Sequence, residues 1–390
     1  MKNDRHFARH YDAIIVGARC AGAATALLLA RRGARVLLVD WSGPSAETVS
    51  THALMRGAVL QLDRWGVLPR IKAARTPAIR TTTFHYGSTR IELPIKPSPG
   101  VEALYAPRRS VLDNALVAQA SNAGANVRYG VAFRDVITND KGRVVGAVLS
   151  HQGQQISVSA DIVIGADGRR STVARRVRAR TEKLARHTTA CVYGYFSGLP
   201  DAGTHWHYVP GLGTGVIPTN NGQHCVFAAL SPERFRSEGR KARTGADLAQ
   251  FFRAANPECG AQVGAAALHG RLTGFQGQKG FTRRSWGQGW ALVGDAGYFK
   301  DPLTAHGISD ALRDAEILSS AVLENTTAAL AEYQHMRDAL CAEFFEITDQ
   351  IASLNWDLAR LQDMHRRLSD CMKEQQNWMI DNLAPQLAAA

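Results

Sequence analysis

Long apolar runs are the clearest absence in this chain of 390 residues. The strongest apolar stretch, around residues 23–30, falls well short of the roughly 20 residues a helix needs to cross a bilayer. The opening MKNDRHFARHYD has no apolar segment of the kind a secretion signal requires, so a cytoplasmic protein is expected. Cysteine is sparse. Its six copies, at positions 20, 191, 225, 259, 341 and 371, show no C-x-x-C spacing, which argues against a disulfide framework or a structural zinc site; no metal ligands are expected. Aromatic residues are only 7%. Acidic residues are outnumbered and the net charge is +12. The arginines are scattered in pairs such as 31–32, 108–109, 169–170 and 175–176, without interleaved aromatics, so no nucleic-acid partner is expected. Positive potential also suits small anions: a nucleotide pyrophosphate, a carboxylate or a phenolate. With 45% hydrophobic and 21% charged residues, the chain is neither disordered nor collagen-like nor a coiled coil. Glycine is plentiful, with 35 residues, as suits an α/β enzyme whose backbone approaches a ligand closely.

The length allows two or three domains at about 150 residues each. Residues 12–16 form an apolar run read as a buried parallel strand, 21–32 an Ala- and Leu-rich helix, and 34–39 a second strand ending at Asp40, which together make a βαβ unit. Residues 53–66 and 110–123 have helical spacing. Alternation at 83–86 and 90–93 suggests antiparallel strands of another domain. Residues 186–284 are rich in strand patterns with one helical stretch near 246–254, and everything after 308 reads as helix. The domains therefore interleave. Segments 1–75, 105–185 and 285–340 form one domain, 76–104 and 186–284 a β-rich second, and 341–390 a C-terminal helical segment.

Three motifs carry chemistry. The first βαβ turn reads Gly17-Ala-Arg19-Cys20-Ala21-Gly22, a G-x-G-x-x-G pattern with Arg in the middle, where a helix N-terminus meets a pyrophosphate. Asp40 stands 18 residues beyond Gly22, placed to accept ribose hydroxyls and disfavouring a 2′-phosphate, so FAD or NAD suits the site. The second motif is the strand 161–164 delivering Asp167-Gly168 into a turn. The third is Gly294-Asp295-Ala296, followed by Pro302 and by His306-Gly307-Ile308 at a helix start.

In this order the motifs resemble the FAD-dependent monooxygenases of the p-hydroxybenzoate hydroxylase fold, a superfamily that includes geranylgeranyl reductases and flavin-dependent halogenases. The resemblance spans about residues 10–340 and includes Arg109-Ser-Val-Leu112. It implies an α/β fold: a Rossmann-like FAD-binding domain interleaved with a β-sheet substrate domain, plus C-terminal helices. It further implies that Gly17, Arg19 and Gly22 meet the pyrophosphate and Asp40 the adenosine ribose, with Cys20, Ala21 and Trp41 also among the cofactor-binding residues. Phe133 would lie near adenine, and Arg109 and Asp295 near the ribityl chain. Asp167 would serve the shared flavin and nicotinamide motif, and Pro302, Gly307, Ile308 and Ser309 the flavin edge. Arg19 departs from the family's Gly, Asp40 from its commoner Glu, and His306-Gly307-Ile308-Ser309 from its G-x-N. Ser50-Thr51-His52 takes the place where hydroxylases often carry Arg.

The implied activity is hydroxylation of a small aromatic or hydrophobic substrate by O2 and NADPH or NADH through a C4a-hydroperoxyflavin. A reductase of the geranylgeranyl-reductase type comes second. A halogenase comes third, because Trp206-His-Tyr-Val-Pro210 is not its W-x-W-x-I-P motif. His52, His306 and Tyr298 are the candidate catalytic groups. Strand alternation puts His205 and His207 on one face of the second sheet and Trp206 and Tyr208 on the other. Residues 344, 347, 351, 354 and 358 have helical spacing, for which core packing is expected ahead of a membrane-surface role. A homodimer and a separate flavin reductase are open as partners.

Overall fold

The structure is a computed structural model that describes residues 7–44, 48, 50 and 52–383. Its first sheet has eight strands. His10–Val16 lies centrally, pairing in parallel with Val36–Asp40 on one side and Gln154–Gly165 on the other. Asn126–Tyr129 and Trp290–Leu292 extend the parallel set at its two ends. Such a strand must be apolar on both faces. Accordingly Ile15 joins a core with Leu27, Leu112 and Leu312 of helices Cys20–Arg31, Arg109–Asn122 and Gly307–Glu324. Ile14 and Val16 face the opposite way. They meet Val131, Leu149 and Val173 of the hairpin Val131–Thr138 and Val144–His151 and of the short helix Thr172–Arg176.

The second sheet has seven strands, ordered Ala267–Phe275, Ala190–Ser197, Gln223–Leu230, Leu212–Thr219, Thr204–Val209, Thr81–Tyr86 and Thr89–Pro94. Two separated passes of the chain meet in it. Thr81–Tyr86 and Thr89–Pro94 form the expected antiparallel hairpin. Where that hairpin joins Thr204–Val209, however, the pairing is parallel. No tight turn links those two strands, so hairpin geometry does not constrain them. One face is covered by Pro232–Ser237, Gly245–Ala255 and Pro257–Ala265, packing Phe235, Leu248, Phe252 and Val263 on Val192, Phe196 and Val226. The sequence pattern reveals only the middle helix. The other two are short and are started by Ser231 and Asn256 caps ahead of Pro232 and Pro257.

Helices Thr327–Ala352 and Leu358–Asn382 cover the other face. Phe344, Ile347, Ile351, Leu361, Met364 and Leu368 pack on Tyr86, Trp206, Tyr208 and Phe227. The amphipathic spacing after residue 340 is thus buried on the second sheet. Among the described residues, no helix is long and apolar enough to cross a membrane.

Candidate active site

The strand ends of the first sheet open into a cavity of about 740 Å³ that the second sheet closes from above. At one end of it, strand His10–Val16 turns at Gly17. Its φ is +107°, and a Cβ there would stand 2.4 Å from the Ala166 carbonyl oxygen, so only glycine fits. Helix Cys20–Arg31 follows with no side-chain cap and no acidic residue in its first turn, leaving its positive end facing the cavity. Arg19, Cys20 and Ala21 line the wall, and Arg19 donates to Thr48 Oγ1 at 2.6 Å. Gly22 does not reach the cavity. A Cβ on it would fall 1.9 Å from Gly17 O, so its part is to let the helix close on the turn.

Asp40 ends the neighbouring strand and lines the same wall. Its Oδ2 accepts the Ala18 N–H at 2.9 Å, and its Oδ1 accepts the Ser42 N–H and hydroxyl at 2.8 and 2.7 Å. A carboxylate has about four acceptor sites, so Oδ2 keeps capacity for a ligand hydroxyl. Trp41, 76% exposed, and the buried Phe133 also line this end.

A second helix N-terminus forms the far end. Gly307–Glu324 starts at His306 without a side-chain cap, and Pro302, Gly307 and Ile308 line the cavity. A Cβ at Gly307 would meet nothing within 4 Å, so this glycine keeps the approach open rather than relieving strain. Ser309 turns inward and its buried hydroxyl lies off the wall. Asp295 lines the middle of the cavity. Burial raises its carboxyl pKa, and the charges of Arg109, Lys300 and Arg169 pull against that. Arg109 also lines the cavity, donating to Asp113 Oδ1 one turn along its own helix at 3.0 Å and to Cys20 Sγ at the first helix end at 3.6 Å.

Besides Gly22 and Ser309, three expectations change in the structure. His306 does not line the cavity: Nδ1 pairs with Asp310 Oδ1 at 3.1 Å and the ring packs 4.5 Å from Phe344, so it supports the helix from behind. Burial, then Lys300 and Arg313, hold it well below the usual imidazole range and keep it neutral. Asp167 borders the cavity, but its carboxylate accepts from the Ser171 hydroxyl at 2.5 Å and from the Thr172 N–H at 2.6 Å. It therefore shapes the Gly168 turn and the start of helix Thr172–Arg176. Tyr298 lines the cavity, yet burial holds its phenol well above the ordinary value, so it carries no negative charge there.

His52 also lines the cavity, in a left-handed conformation with φ of 67°. Its Nε2 lies 2.5 Å from the Tyr195 hydroxyl. Burial, then Arg109 and Arg108, push its pKa down to about 3, so it is a neutral hydrogen-bonding group and a weak base. Thr51 beside it lies outside the described residues.

The sequence reading missed Lys300. It lines the cavity, is buried, and pairs with Asp310, which also accepts from Arg313 Nη1 at 3.0 Å. Burial is the main cause that brings its pKa down to about 7. A signal for it existed: a lysine directly after Tyr298-Phe299 is a charge in a buried stretch, the rarer and more informative pattern. The roof is set by Cys191, Tyr193 and Phe275, with Phe299 beside them. Neither the His205/His207 pair nor the Trp206/Tyr208 pair reaches the cavity.

The residues fit FAD. One cavity joins the tight turn at Gly17, an uncapped helix end, an acceptor at Asp40 and a second helix end at Gly307. The family model for the FAD binding domain matches residues 10–346. The digeranylgeranylglycerophospholipid reductase of Methanosarcina mazei is 27% identical over 330 residues, 82% of this chain and 76% of that protein. The flavin-dependent brominase Bmp2, as a triple mutant, superposes with a TM-score of 0.80 at 18% identity, over 96% of this chain and 97% of that one. PqsL of P. aeruginosa, solved with 2-aminobenzoylacetate, gives 0.79 at 18% identity over 92% and 100% of the two chains.

Proposed function

We propose, for a chain that belongs to the FAD binding domain family and is an FAD-dependent oxidoreductase, that the reaction is monooxygenation of a compact aromatic or hydrophobic substrate, with NADH or NADPH as the transient reductant. The observation that carries a compact substrate over a long one is the extent of the roof. A long chain would need the face of the second sheet beyond Tyr193. Phe344, Ile347, Ile351, Trp356 and Met364 fill that face, and a pocket walled by Cys191, Tyr193, Phe275 and Phe299 is left.

Gly17 and the Cys20–Arg31 helix end would hold the pyrophosphate, Asp40 the adenosine ribose, Asp295 the ribityl chain and the Gly307–Glu324 helix end the ring edge. FAD, when bound, supplies the two-electron chemistry that links a nicotinamide to dioxygen or to a substrate. The protein's part is positioning, dryness and a proton. His52 offers a neutral imidazole through which the Tyr195 hydroxyl is oriented. Lys300 holds its proton at Nζ near neutrality, beside Asp310 and at the ring end of the cavity, a suitable pKa for a group that gives and regains a proton in turnover.

That lysine also favours a second reading, reduction of a carbon–carbon double bond, in line with the similarity to the reductase of M. mazei. The test is anaerobic titration of the FAD-loaded protein with NADH and NADPH while following the visible flavin band, then turnover of small phenols under ¹⁸O2. Monooxygenation puts one labelled oxygen into product and the other into water, consuming one nicotinamide per turnover. An unlabelled product carrying two added hydrogens, formed equally without O2, overturns it in favour of reduction.

A further inference from the structure

On the side of the second sheet away from the C-terminal helices, three imidazoles stand together. Thr81–Tyr86 and Thr204–Val209 pair in parallel, with His207 opposite His85 and His205 opposite Thr83. Residues directly opposite share a face, as do residues two apart on one strand, so all three rings project to one side. None of them lines the flavin cavity. One nitrogen from each lies within 4.8 Å of the other two. His85 Nε2 and His205 Nδ1 are 3.3 Å apart, and the His85 and His207 rings are stacked at 4.2 Å.

We propose that His85, His205 and His207 form a site for one first-row divalent cation of the Zn²⁺ class. Four observations support it. His205 Nε2 lies 3.1 Å from the Ala202 carbonyl, which can only accept, so Nε2 carries the proton and Nδ1 keeps its lone pair. An outer carbonyl fixing the tautomer is the usual support of a metal-bound histidine. His207 is 2% exposed, and neither of its ring nitrogens has a partner, so a buried lone pair points into the cluster with nothing to receive it. A tetrahedral ion with bonds of 2.0–2.1 Å needs donors about 3.3 Å apart. The His85–His205 separation has that value, and a His207 nitrogen lies within 4.8 Å of both. Finally, Thr83 pairs with His205 and Thr214 with His207, and both threonine hydroxyls are buried without partners, ready for a metal-bound water.

The chemical state also suits. Burial comes first in depressing all three imidazoles, with the neighbouring histidines adding to it at His85 and His207, so the cluster is neutral near pH 7. Neutral imidazole is the metal-binding form. Arg90, opposite His85, is paired with Glu92. The site straddles the one pairing at which the two separated passes of chain meet in this sheet. An ion there would staple them, a structural role separate from the flavin chemistry.

The test uses tag-free, EDTA-treated, FAD-loaded full-length protein. Titration with Zn²⁺ by calorimetry should give one equivalent per chain, and Co²⁺ should give the visible absorption of a tetrahedral site. Thermal stability should rise by several degrees with Zn²⁺. His85→Gln and His205→Gln, both at partly exposed positions, should weaken Zn²⁺ binding at least tenfold and abolish the thermal shift while leaving bound FAD unchanged. Absence of saturable binding to the parent protein overturns the proposal. So does equal binding by His85→Gln, because the cluster is then an ordinary chain of stacked, hydrogen-bonded histidines.

Discussion

Helices Cys20–Arg31 and Gly307–Glu324 both point uncapped N-termini into one cavity, yet the two ends are built from different materials. At the first, the constraint is backbone. Gly17 and Gly22 leave no room for a side chain, and the partners of Asp40 are the Ala18 N–H and Ser42. At the second, glycine has open space, and buried ionisable groups do the shaping: Lys300, His306, Asp310, Arg313 and Asp314 lie within one connected network. A nucleotide's pyrophosphate has a fixed shape and charge, so a rigid backbone cradle suffices. A reacting ring changes charge during turnover, and side chains able to hold or release protons answer to that.

The sharpest way to break this comparison is one substitution made at both ends. Gly17→Ala forces a Cβ to 2.4 Å from a backbone carbonyl at a φ of +107°. A few kcal/mol of strain is expected, and FAD affinity should fall at least about 100-fold, read as the flavin-to-protein absorbance ratio after gel filtration. Gly307→Ala meets no protein atom within 4 Å, so the fold should be untouched and FAD retention should fall less than in Gly17→Ala, through the methyl in the cavity alone. Equal loss in both proteins would mean that the ring end is as sterically fixed as the nucleotide end.

A second pair separates holding from chemistry. Lys300→Met removes the buried ammonium whose pKa burial has brought to about 7. Turnover should drop about 100-fold, the usual contribution of a placed acid or base. An inflection near pH 7 is expected in kcat of the parent and should be absent from the variant, with FAD affinity changed less than threefold. Asp40→Asn should do the reverse. It weakens a charge-assisted hydrogen bond worth about 1.5–3 kcal/mol, so FAD binding should fall about tenfold while the pH profile of the bound enzyme stays in place. A Lys300→Met enzyme that kept its pH 7 inflection would remove lysine from the chemistry.

What was legible in the sequence follows the same division. The βαβ turn, Asp40 and the helix ends are backbone features that announce themselves through glycine spacing and apolar runs. The direction of a side chain does not. His306 precedes the ring-end helix as the motif order implies, but its ring turns back to Asp310 one helical turn on. Asp167 sits in the expected turn, but its oxygens are taken by Ser171 and Thr172. Lys300 went unread because a charge inside an apolar stretch becomes meaningful only when the surrounding burial is known. The His85, His205 and His207 cluster depends on a parallel pairing between segments more than a hundred residues apart, a register that local pattern does not encode.

Acid titration tests the neutral imidazole on the cavity wall. His52 has a folded pKa of about 3 against an ordinary 6.5. Between those values the unfolded chain binds the proton and the folded chain does not, so stability falls as pH drops below 6.5. The loss approaches about 1.4 kcal/mol per pH unit, or about 2 kcal/mol by pH 5. His52→Gln should flatten that part of the melting-temperature profile between pH 7 and 5. Lys300 acts in a different window with the same slope. Its depressed pKa means that the unfolded chain holds more protons between pH 7 and 10.5, so stability rises with pH there, and Lys300→Met should remove that rise. An unchanged acid profile in His52→Gln would mean that this imidazole is hydrated and titrates normally.

The smallest effect is expected at Asp167, where it is also the most discriminating. The family resemblance gives this carboxylate to the cofactor, whereas its hydrogen bonds give it to the chain. If the second is right, Asp167→Asn keeps the Ser171 contact through its one acceptor oxygen and loses the charge and the acceptor for the Thr172 N–H at the start of a five-residue helix. A cost of about 1 kcal/mol follows, or a melting-point shift of about 2 °C, with FAD affinity and the nicotinamide KM both unchanged. If the carboxylate also held the cofactor, FAD retention or KM would move by tenfold or more while the melting point of the apoprotein moved by the same 2 °C. Measuring both quantities on one variant decides whether the turn around Gly168 belongs to the ligand or to the fold.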